Sequence, residues 1–380
     1  MADVSTPRIE KQERLPASEA VTEVAPGILR LQLPISLPGL GHVNCYALED
    51  ERGFTLVDPG LPSPEEFAAL EARLASIGAP ISRVHTVVVT HSHPDHFGGA
   101  GRLRILNGAD IVADRHFRTI FDPFDDDSAQ LIDTLAPKFD DDGFDITEFG
   151  KYLISDGEIP TMPARHAPWG GLIPFPSRSE ILHMRSWDAL SKEGFVNPQP
   201  TKRLDDAQVI TLGRREWVAV HTPGHTDDHL CLWDPANGVL LSGDHVLPTI
   251  TPHIGGMGRS SDSLADYIAA LDKVAGLHGV TKVLPAHGHP FEDLSGRVAD
   301  IQRHHHERLL LLEDIAAGLG EADVTQFSQQ LFQERSWGAM AESETYAHLE
   351  HLRLGGRATV RSDDGRLKYT VISPQAIPLA

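Results

Sequence analysis

The stretch His91-Ser92-His93-Pro94-Asp95-His96 carries three imidazoles and one carboxylate within six residues. It follows Val87-Val88-Val89, a β-branched run that is typical of a buried strand. A loop that leaves a strand end can bring alternate side chains to one point, which is what a metal ion needs. A solvated polar loop would not need so much histidine. The stretch therefore predicts a metal site, with His91 and His93 sharing one ion while Asp95 and His96 turn toward a second.

Three later motifs each place one metal-binding side chain at the end of a predicted strand. Any one of them is a weak signal, because single histidines at strand ends are common. Together with the first stretch they supply two further imidazoles and one carboxylate, so that a dinuclear site becomes chemically complete. The three motifs are His221-Thr222-Pro223-Gly224-His225, Ser242-Gly243-Asp244 and Leu284-Pro285-Ala286-His287-Gly288.

The surrounding hydrophobic pattern predicts an α/β chain. A helix is expected between Ser63, which can cap its start, and Gly78. Phe67, Leu70, Leu74 and Ile77 are predicted to share its apolar face. Strands are expected at 28–31, 43–48, 54–57, 84–90, 209–212, 217–221, 230–233, 239–241 and 280–284, with a further helix at 263–275.

Two other regions differ from this pattern. Residues 115–206 contain two acidic runs and a segment rich in proline and aromatic residues, and they are predicted to form an inserted lid. Residues 297–380 are predicted to form a separate unit in which three helices are followed by a hairpin around Asp363-Asp364-Gly365. That order resembles a winged-helix unit, so we expect a catalytic domain at 21–296 and a winged-helix-like C-terminal domain at 297–380.

Composition bears on the partners and the compartment. The formal net charge of −21 over 380 residues repels a phosphate backbone over most of the surface. We therefore expect a small-molecule substrate in preference to a nucleic-acid partner, although the net charge does not exclude a local basic patch. Cys45 and Cys231 lie in apolar runs and are predicted to be core residues, not a disulfide framework. Residues 1–21 lack the apolar segment of a secretory signal, and no later run could span a bilayer, so a cytoplasmic location without membrane association is expected.

The motifs, in their order, resemble those of the metallo-β-lactamase superfamily. The resemblance covers about residues 21–296 apart from the insertion. It implies an αββα sandwich with two metal ions at one edge of the sheets. The positions that match the five motifs of the family are Asp58, the stretch from His91 to His96, His225, Asp244 and His287.

The resemblance also implies how the ligands divide between the two ions. Zinc is expected from the ligand types, with iron or manganese as alternatives. Two ions about 3.5–4 Å apart can lower the pKa of a water between them, so that a metal-bound hydroxide attacks a carbonyl or a phosphorus. Asp95 could also pass a proton to the leaving group as a catalytic residue. By resemblance, one ion is bound by His91, His93 and His225, the other by Asp95, His96 and His287, and Asp244 bridges them.

Further residues are candidates for supporting roles. Asp58 is expected to hold a ligand or loop by hydrogen bonding, as groups behind metal ligands do; a plain turn aspartate is the alternative. His229 could support the ligands or merely pack. In the lid, Arg165, His166 and Trp169 could shape a substrate pocket, although ordinary packing explains each of them as well. His253, beyond Asp244, is a further candidate to face the substrate.

Three functions compete for this site. Hydrolysis of a small acyl compound, a thioester, lactone or ester, is the first choice. Cleavage of RNA phosphodiesters is the alternative, because one branch of the resembled superfamily combines this core with a winged-helix-like C-terminal unit. Five cationic side chains of the tail could hold a phosphate backbone, although an ordinary charged surface explains them equally well: Arg353, Arg357, Arg361, Arg366 and Lys368. A third hypothesis makes the tail a module for homodimerisation or partner binding on an inactive core. The intact ligand set disfavours it. β-lactam cleavage is chemically possible but does not suit a cytoplasmic chain.

One more histidine-rich stretch, His304-His305-His306, lies in a predicted helix. Consecutive helix positions point in different directions, so one ion cannot use all three rings well. We expect this stretch to form a solvated helix face.

Overall fold

The first sheet contains six strands from residues 22–114 and one strand from residues 202–204. The computed structural model describes residues 10–119 except 36 and 38, residues 165–173, and residues 198–372. The strands are β1 (Thr22–Ala25), β2 (Ile28–Pro34), β3 (His42–Glu49), β4 (Phe54–Val57), β5 (Val84–Val88), β6 (Asp110–Asp114) and β9 (Lys202–Leu204). Their order in space is β1-β2-β3-β4-β5-β6-β9. Strands β1 to β4 pair antiparallel, whereas β4, β5, β6 and β9 run parallel.

The second sheet follows in sequence. It contains β10 (Val209–Leu212), β11 (Arg215–His221), β12 (Leu230–Asp234), β13 (Val239–Gly243) and β14 (Lys282–Pro285), in that spatial order. Its pairs are antiparallel except β13 and β14, which run parallel. A two-stranded ribbon, β7 (Arg165–His166) with β8 (Leu172–Ile173), stands apart from both sheets.

Four α-helices lie in this part of the described chain. They are α1 (Pro64–Ser76), α2 (Pro94–Phe97), α3 (Ala100–Asn107) and α4 (Ser263–Ala275). The hydroxyl of Ser63 accepts a hydrogen bond from the backbone N–H of Glu66 at 3.2 Å, which satisfies one free donor at the start of α1. Phe67, Leu70 and Leu74 are buried as predicted, whereas Ile77 is 38% exposed because it lies beyond the last helical residue.

Three apolar clusters define four layers. Phe67 and Leu70 of α1 pack with Leu31 and Leu56 on the outer face of the first sheet. Val57 and Val88 pack against Trp217 and Leu232 between the two sheets. Tyr267 and Leu271 of α4 pack with Leu240 and Val283 on the outer face of the second sheet. The chain therefore forms the αββα sandwich that the resemblance implied.

The C-terminal segment packs against the same outer face of the second sheet. Leu309 and Leu312 bury in one cluster with Leu271, and the predicted boundary at residue 297 falls inside a helix. The winged-helix-like assignment stays a prediction. The elements are α5 (Leu294–Leu319), α6 (Val324–Leu331), α7 (Ala339–Leu354), β15 (Ala322–Asp323), β16 (Ala358–Asp363) and β17 (Arg366–Val371), with the strands in the order β15-β17-β16.

Several smaller predictions can be compared with the structure. Cys45 and Cys231 are buried and unpaired, as expected of core residues. The prediction of a solvated face at His304-His305-His306 is wrong for His305, which is fully buried. Most of the predicted lid lies outside the described residues. Within the described ranges, no helix combines the length and apolarity that crossing a bilayer requires.

Candidate metal centre

The ends of five strands bring the predicted ligands to one edge of the sandwich. Asp58 directly follows β4, and His91 follows β5, which runs parallel to β4. Asp244 directly follows β13, and His287 lies two residues beyond β14, its parallel neighbour. His225 lies four residues beyond β11. Because carboxyl ends of parallel neighbours lie at the same edge of a sheet, side chains distant in sequence meet here.

Three histidines form the first group of ligand atoms. The Nδ1 atom of His93 lies 3.0 Å from Nε2 of His91 and 3.1 Å from Nε2 of His225. Each ring offers one atom, and these atoms lie within 4.8 Å of one another. The rings meet edge to face, with centroids 4.6–5.1 Å apart. Such a cluster of nitrogen lone pairs can surround one cation.

A second group lies beside the first. Helix α2 begins after His93, with Pro94 at its first position, and this single turn redirects Asp95 and His96 inward. Oδ2 of Asp95 lies 3.4 Å from Nε2 of His96 and 3.5 Å from Nε2 of His287. All three residues are buried.

Asp244 lies between the two groups. Its Oδ2 atom is 3.6 Å from Nε2 of His96 and 3.6 Å from Nε2 of His225, one histidine from each group. Its Oδ1 atom is 3.3 Å from Nε2 of His287. A carboxylate in this position can contact two cations at once.

Buried polar atoms without partners show that the site fits metal ions. Nε2 of His96, Nε2 of His287 and Oδ1 of Asp244 have no hydrogen-bond partner among the described residues. Buried polar atoms are nearly always hydrogen-bonded, and each exception needs an explanation. Here the three atoms belong to one cluster of nitrogen and oxygen donors, the donor types that zinc and similar ions bind.

In four of the histidines, the Nδ1 atom forms a hydrogen bond within the protein. Nδ1 of His91 lies 3.0 Å from Oγ1 of Thr90, and Nδ1 of His96 lies 3.0 Å from Oδ2 of Asp58. Nδ1 of His225 and of His287 lie 2.8 and 2.6 Å from backbone carbonyl oxygens. Because carboxylate and carbonyl oxygens only accept, the network assigns the proton to Nδ1 and leaves the Nε2 lone pair facing the centre.

Asp58 organises two of these histidines. Its carboxylate accepts hydrogen bonds from the Thr90 backbone N–H at 2.9 Å, the Thr90 hydroxyl at 2.8 Å and His96 Nδ1 at 3.0 Å. Since the Thr90 hydroxyl donates to Asp58, its oxygen is free to accept from His91. Asp58 itself has φ 55°, a left-handed conformation that aspartate tolerates better than most residues. Asp58 thus lies directly behind two of the predicted ligands, and the sequence did not point to Thr90, whose hydroxyl lies between Asp58 and His91.

His229 supports the loop that carries Asp244. Its Nε2 atom accepts a hydrogen bond from the Asp244 backbone N–H at 3.0 Å. Its Nδ1 therefore carries the proton and donates to Oγ1 of Thr222 at 2.7 Å. Burial lowers the pKa of His229 far below its ordinary value, which keeps the ring neutral and able to accept.

The electrostatics of the two groups differ. Burial and the neighbouring imidazoles hold the pKa of His91 far below its ordinary value, and burial together with His225 lowers the pKa of His93 to about 3. Burial alone would also lower the pKa of His96, but Asp95, Asp244 and Asp58 outweigh it and raise that pKa. Thus the all-histidine group holds neutral lone pairs, whereas the carboxylate-containing group attracts positive charge.

The predicted substrate-binding residues lie in different surroundings. Trp169 is buried, its ring is tilted against that of Tyr346, and its Nε1 donates a hydrogen bond to Glu342 at 3.0 Å, so these contacts are with the C-terminal segment. His166 is exposed. His253 is half-buried, and its carbonyl oxygen is the acceptor for His225. The side chain of Arg165 lies outside the described residues. A substrate-binding role for these four stays a prediction.

The C-terminal segment also contacts this edge, which the sequence did not indicate. Oε2 of Glu344, on α7, lies 3.6 Å from Nδ1 of His253. Arg308, on α5, forms a short ion pair with the other oxygen of Glu344. The segment therefore contacts the residue whose carbonyl orients His225.

Comparisons with known proteins identify the family. A family model described as the metallo-beta-lactamase superfamily matches residues 38–287, so the chain belongs to that superfamily and is a metal-dependent hydrolase. A probable metallo-hydrolase, YqjP of Bacillus subtilis, is 26% identical over 86% of this chain and 92% of its own length.

Two further similarities add detail. The solved structure of a metallo-beta-lactamase family protein from Thermus thermophilus is 26% identical, with a TM-score of 0.68 over 92% of this chain and 100% of that one. The acyl-coenzyme A thioesterase MBLAC2 of Bos taurus is 34% identical, but only over 24% of this chain and 33% of its length.

Proposed function

We propose that this hydrolase binds two zinc ions and cleaves a small acyl substrate, a thioester, lactone or ester, with an acyl thioester as first candidate. The ligands would be His91, His93 and His225 for one ion, Asp95, His96 and His287 for the other, and Asp244 for both. Iron or manganese would also suit these donors. The short match to an acyl-coenzyme A thioesterase supports the thioester.

One observation carries the proposal. The cluster combines nitrogens held in the ligand tautomer with a carboxylate that reaches both groups, and three of its buried atoms lack partners among the described residues. Single buried histidines such as His305 also have an unpaired nitrogen, but here the unpaired atoms lie together among several nitrogen and oxygen donors of one cluster.

Each part of the centre has a chemical role in this proposal. Bound zinc ions would lower the pKa of a water and polarise the substrate oxygen that gains charge. Asp58 and Thr90 orient the rings of His96 and His91, and His229 fixes the backbone of Asp244. Asp95 is ionised at neutral pH, because His96 and His287 outweigh its burial and hold its pKa at about 2. In the metal-loaded enzyme this carboxylate would accept a proton from the attacking water and pass it to the leaving group.

The charges of the tail favour a small substrate over RNA. The five cationic side chains that could hold a phosphate backbone all form ion pairs within the protein, so their charge is already compensated. The pairs are Arg353 with Glu350, Arg357 with Glu313, Arg361 with Glu321, Arg366 with Asp323, and Lys368 with Asp363.

A cytoplasmic location and a homodimer stay predictions from the sequence.

Metal analysis of the purified protein together with a substrate panel tests the proposal. The panel contains an acyl-coenzyme A thioester, a lactone, a simple ester, a phosphodiester, a short RNA and a β-lactam. We expect two zinc equivalents at the centre and hydrolysis of the acyl compounds, abolished by a chelator and restored by Zn²⁺. Cleavage confined to the phosphodiester and RNA, falling steeply with salt, would overturn the acyl assignment.

A further inference from the structure

A second cluster of metal-binding side chains lies outside the seven residues of the centre. Asp114 is the last residue of β6, His116 follows two residues later, and His221 is the last residue of β11. Each side chain offers one ligand atom, and the three atoms lie within 4.8 Å of one another. Two strand ends from different sheets therefore bring two imidazoles and one carboxylate together.

Only one of the two carboxylate oxygens of Asp114 accepts hydrogen bonds from the described residues. Its Oδ1 atom accepts hydrogen bonds from the backbone N–H of His116 at 2.7 Å and from Nδ1 of the same residue at 2.8 Å. Its Oδ2 atom is buried and has no partner within the described ranges, in a side chain that is 0% exposed. A buried carboxylate oxygen without a partner is costly. A cation at this cluster would satisfy the second oxygen.

The rings of His116 and His221 are placed so that both can bind the same metal ion. Nε2 of His221 lies 2.8 Å from the carbonyl oxygen of Asp227. Because a carbonyl only accepts, Nε2 carries the proton and Nδ1 keeps the lone pair that a metal requires. The centroid of the His116 ring lies 5.2 Å from that of His221, and the His116 side chain is 49% exposed. An ion can therefore enter from solvent and keep water in its remaining positions.

A second buried carboxylate, that of Asp228, interacts electrostatically with Asp114. Burial raises the pKa of Asp228 to about 7, and the negative charge of Asp114 adds to that rise. Asp228 accepts a hydrogen bond from Ser92 at 3.0 Å, so it interacts both with the cluster and with the histidine-rich stretch. Added positive charge near Asp114 would relieve the repulsion between the two carboxylates.

We propose that Asp114, His116 and His221 bind a third divalent metal ion, separate from the dinuclear centre. Two imidazoles, one carboxylate and a water make a four-coordinate site of the kind that zinc occupies. The ion would join the end of β6 to the end of β11. His225 lies only four residues beyond His221, so the third ion would hold the base of the loop that carries one ligand of the centre.

Counting bound zinc tests the proposal directly. The full chain is stripped with a chelator, dialysed against Zn²⁺ at a series of free concentrations, and analysed for metal by mass spectrometry. We expect the unsubstituted protein to bind one equivalent more than His116→Gln, a substitution at an exposed side chain. Asp114→Asn should lose the same equivalent. His278→Gln, at another exposed histidine, is the matched control and should bind as much as the unsubstituted protein.

The test measures the difference in bound zinc between the unsubstituted protein and His116→Gln. This difference does not depend on how many ions the dinuclear centre holds. In the background of Asp244→Ala, which disrupts that centre, the equivalent that depends on His116 should persist. Equal zinc binding by the unsubstituted protein and His116→Gln would overturn the third site while leaving the proposed hydrolase intact. Retention of the extra equivalent in Asp114→Asn would also contradict it.

Discussion

The two histidine-rich stretches of this chain differ in whether the fold brings their side chains together. The stretch from His91 to His96 leaves a strand and then turns through one short helix, and its ring nitrogens converge with those of distant residues. His304, His305 and His306 are consecutive in the middle of α5, where successive side chains point in different directions. His305 is fully buried, His304 is half-buried and His306 is exposed.

The neighbours of each stretch decide the protonation of its rings. His305 stacks on His348 with centroids 5.2 Å apart, and its Nδ1 lies 3.1 Å from Nε2 of His348. Burial and the partner ring lower the pKa of His305 to about 3, and burial lowers that of His348 to about 4. At the metal centre, carboxylates raise the pKa of His96 despite its complete burial. Thus burial keeps His305 and His348 neutral even with the Glu344 carboxylate nearby, whereas the three carboxylates around His96 outweigh its burial.

The largest expected effect comes from removing the carboxylate between the two groups. Asp244→Ala should remove metal from the centre and lower the turnover of the acyl substrate by at least about 10⁴-fold, because metal ions supply several kcal/mol of transition-state stabilisation. Zinc content and kcat of the same preparation measure both. His306→Ala, in the other stretch, should change neither. Full zinc content in Asp244→Ala would contradict the bridging role.

A smaller and more selective effect is expected at Asp95. Asp95→Asn keeps an oxygen ligand but cannot accept a proton, so turnover should fall by about 10²-fold or more, the usual range for general acid–base groups. Metal content should fall much less than turnover. The measurement pairs single-turnover rates with zinc analysis. A parallel loss of zinc and turnover would show that Asp95 acts only as a ligand.

Asp58→Asn tests whether the carboxylate behind the ligands matters. It weakens the acceptor for His96 and for Thr90, so metal affinity or activity should fall by about 10–100-fold, as for other groups behind metal ligands. Asp50→Asn is a matched control, because Asp50 also lies 3.2 Å from a histidine nitrogen, that of His85, but away from the centre. Competition with a zinc-binding dye measures the affinity. Equal affinities in the two variants would contradict the positioning role.

The smallest effect concerns the stability of the second stretch. Above about pH 6.5, the ordinary histidine pKa, both His305 and His348 are neutral in the folded and unfolded chain. Below that pH the unfolded chain takes up protons on these histidines and the folded chain does not. The free energy of unfolding therefore decreases as the pH is lowered, by up to about 1.4 kcal/mol per pH unit for each histidine. His305→Gln should reduce that slope between about pH 6.5 and 4. Urea unfolding of the metal-free protein at several pH values measures it, with His306→Ala as control. An unchanged slope in His305→Gln would show that His305 does not titrate in this way.

Much of this architecture follows from local patterns in the sequence. The run Val87-Val88-Val89 predicts a buried strand, and Ser63 and Gly78 bracket a helix that the structure contains. The seven predicted metal ligands do lie together. Their convergence was predictable because ligands at the ends of parallel neighbours share one edge of a sheet. The roles assigned to them stay predictions.

Other features could not be read from local patterns. His305 looked like part of an exposed helix face, but α7 packs over it and supplies His348. The sequence left both a pocket role and ordinary packing open for Trp169, and it did not indicate the contact of its ring with Tyr346 of the C-terminal segment. Thr90 looked like an ordinary strand residue until its hydroxyl was seen between Asp58 and His91.

The sequence by itself determined which residues can bind metal and where the strands end, because donor chemistry and strand propensity are properties of single residues and their near neighbours. Only the tertiary structure decided which ring nitrogen faces the centre, which carboxylate lies between the two groups, and which histidines bury against one another. The physical reason is that hydrogen-bond partners and burial depend on the stacking of two sheets and the docking of the last helices. These bring together residues, such as His42 and His287, that are 245 positions apart.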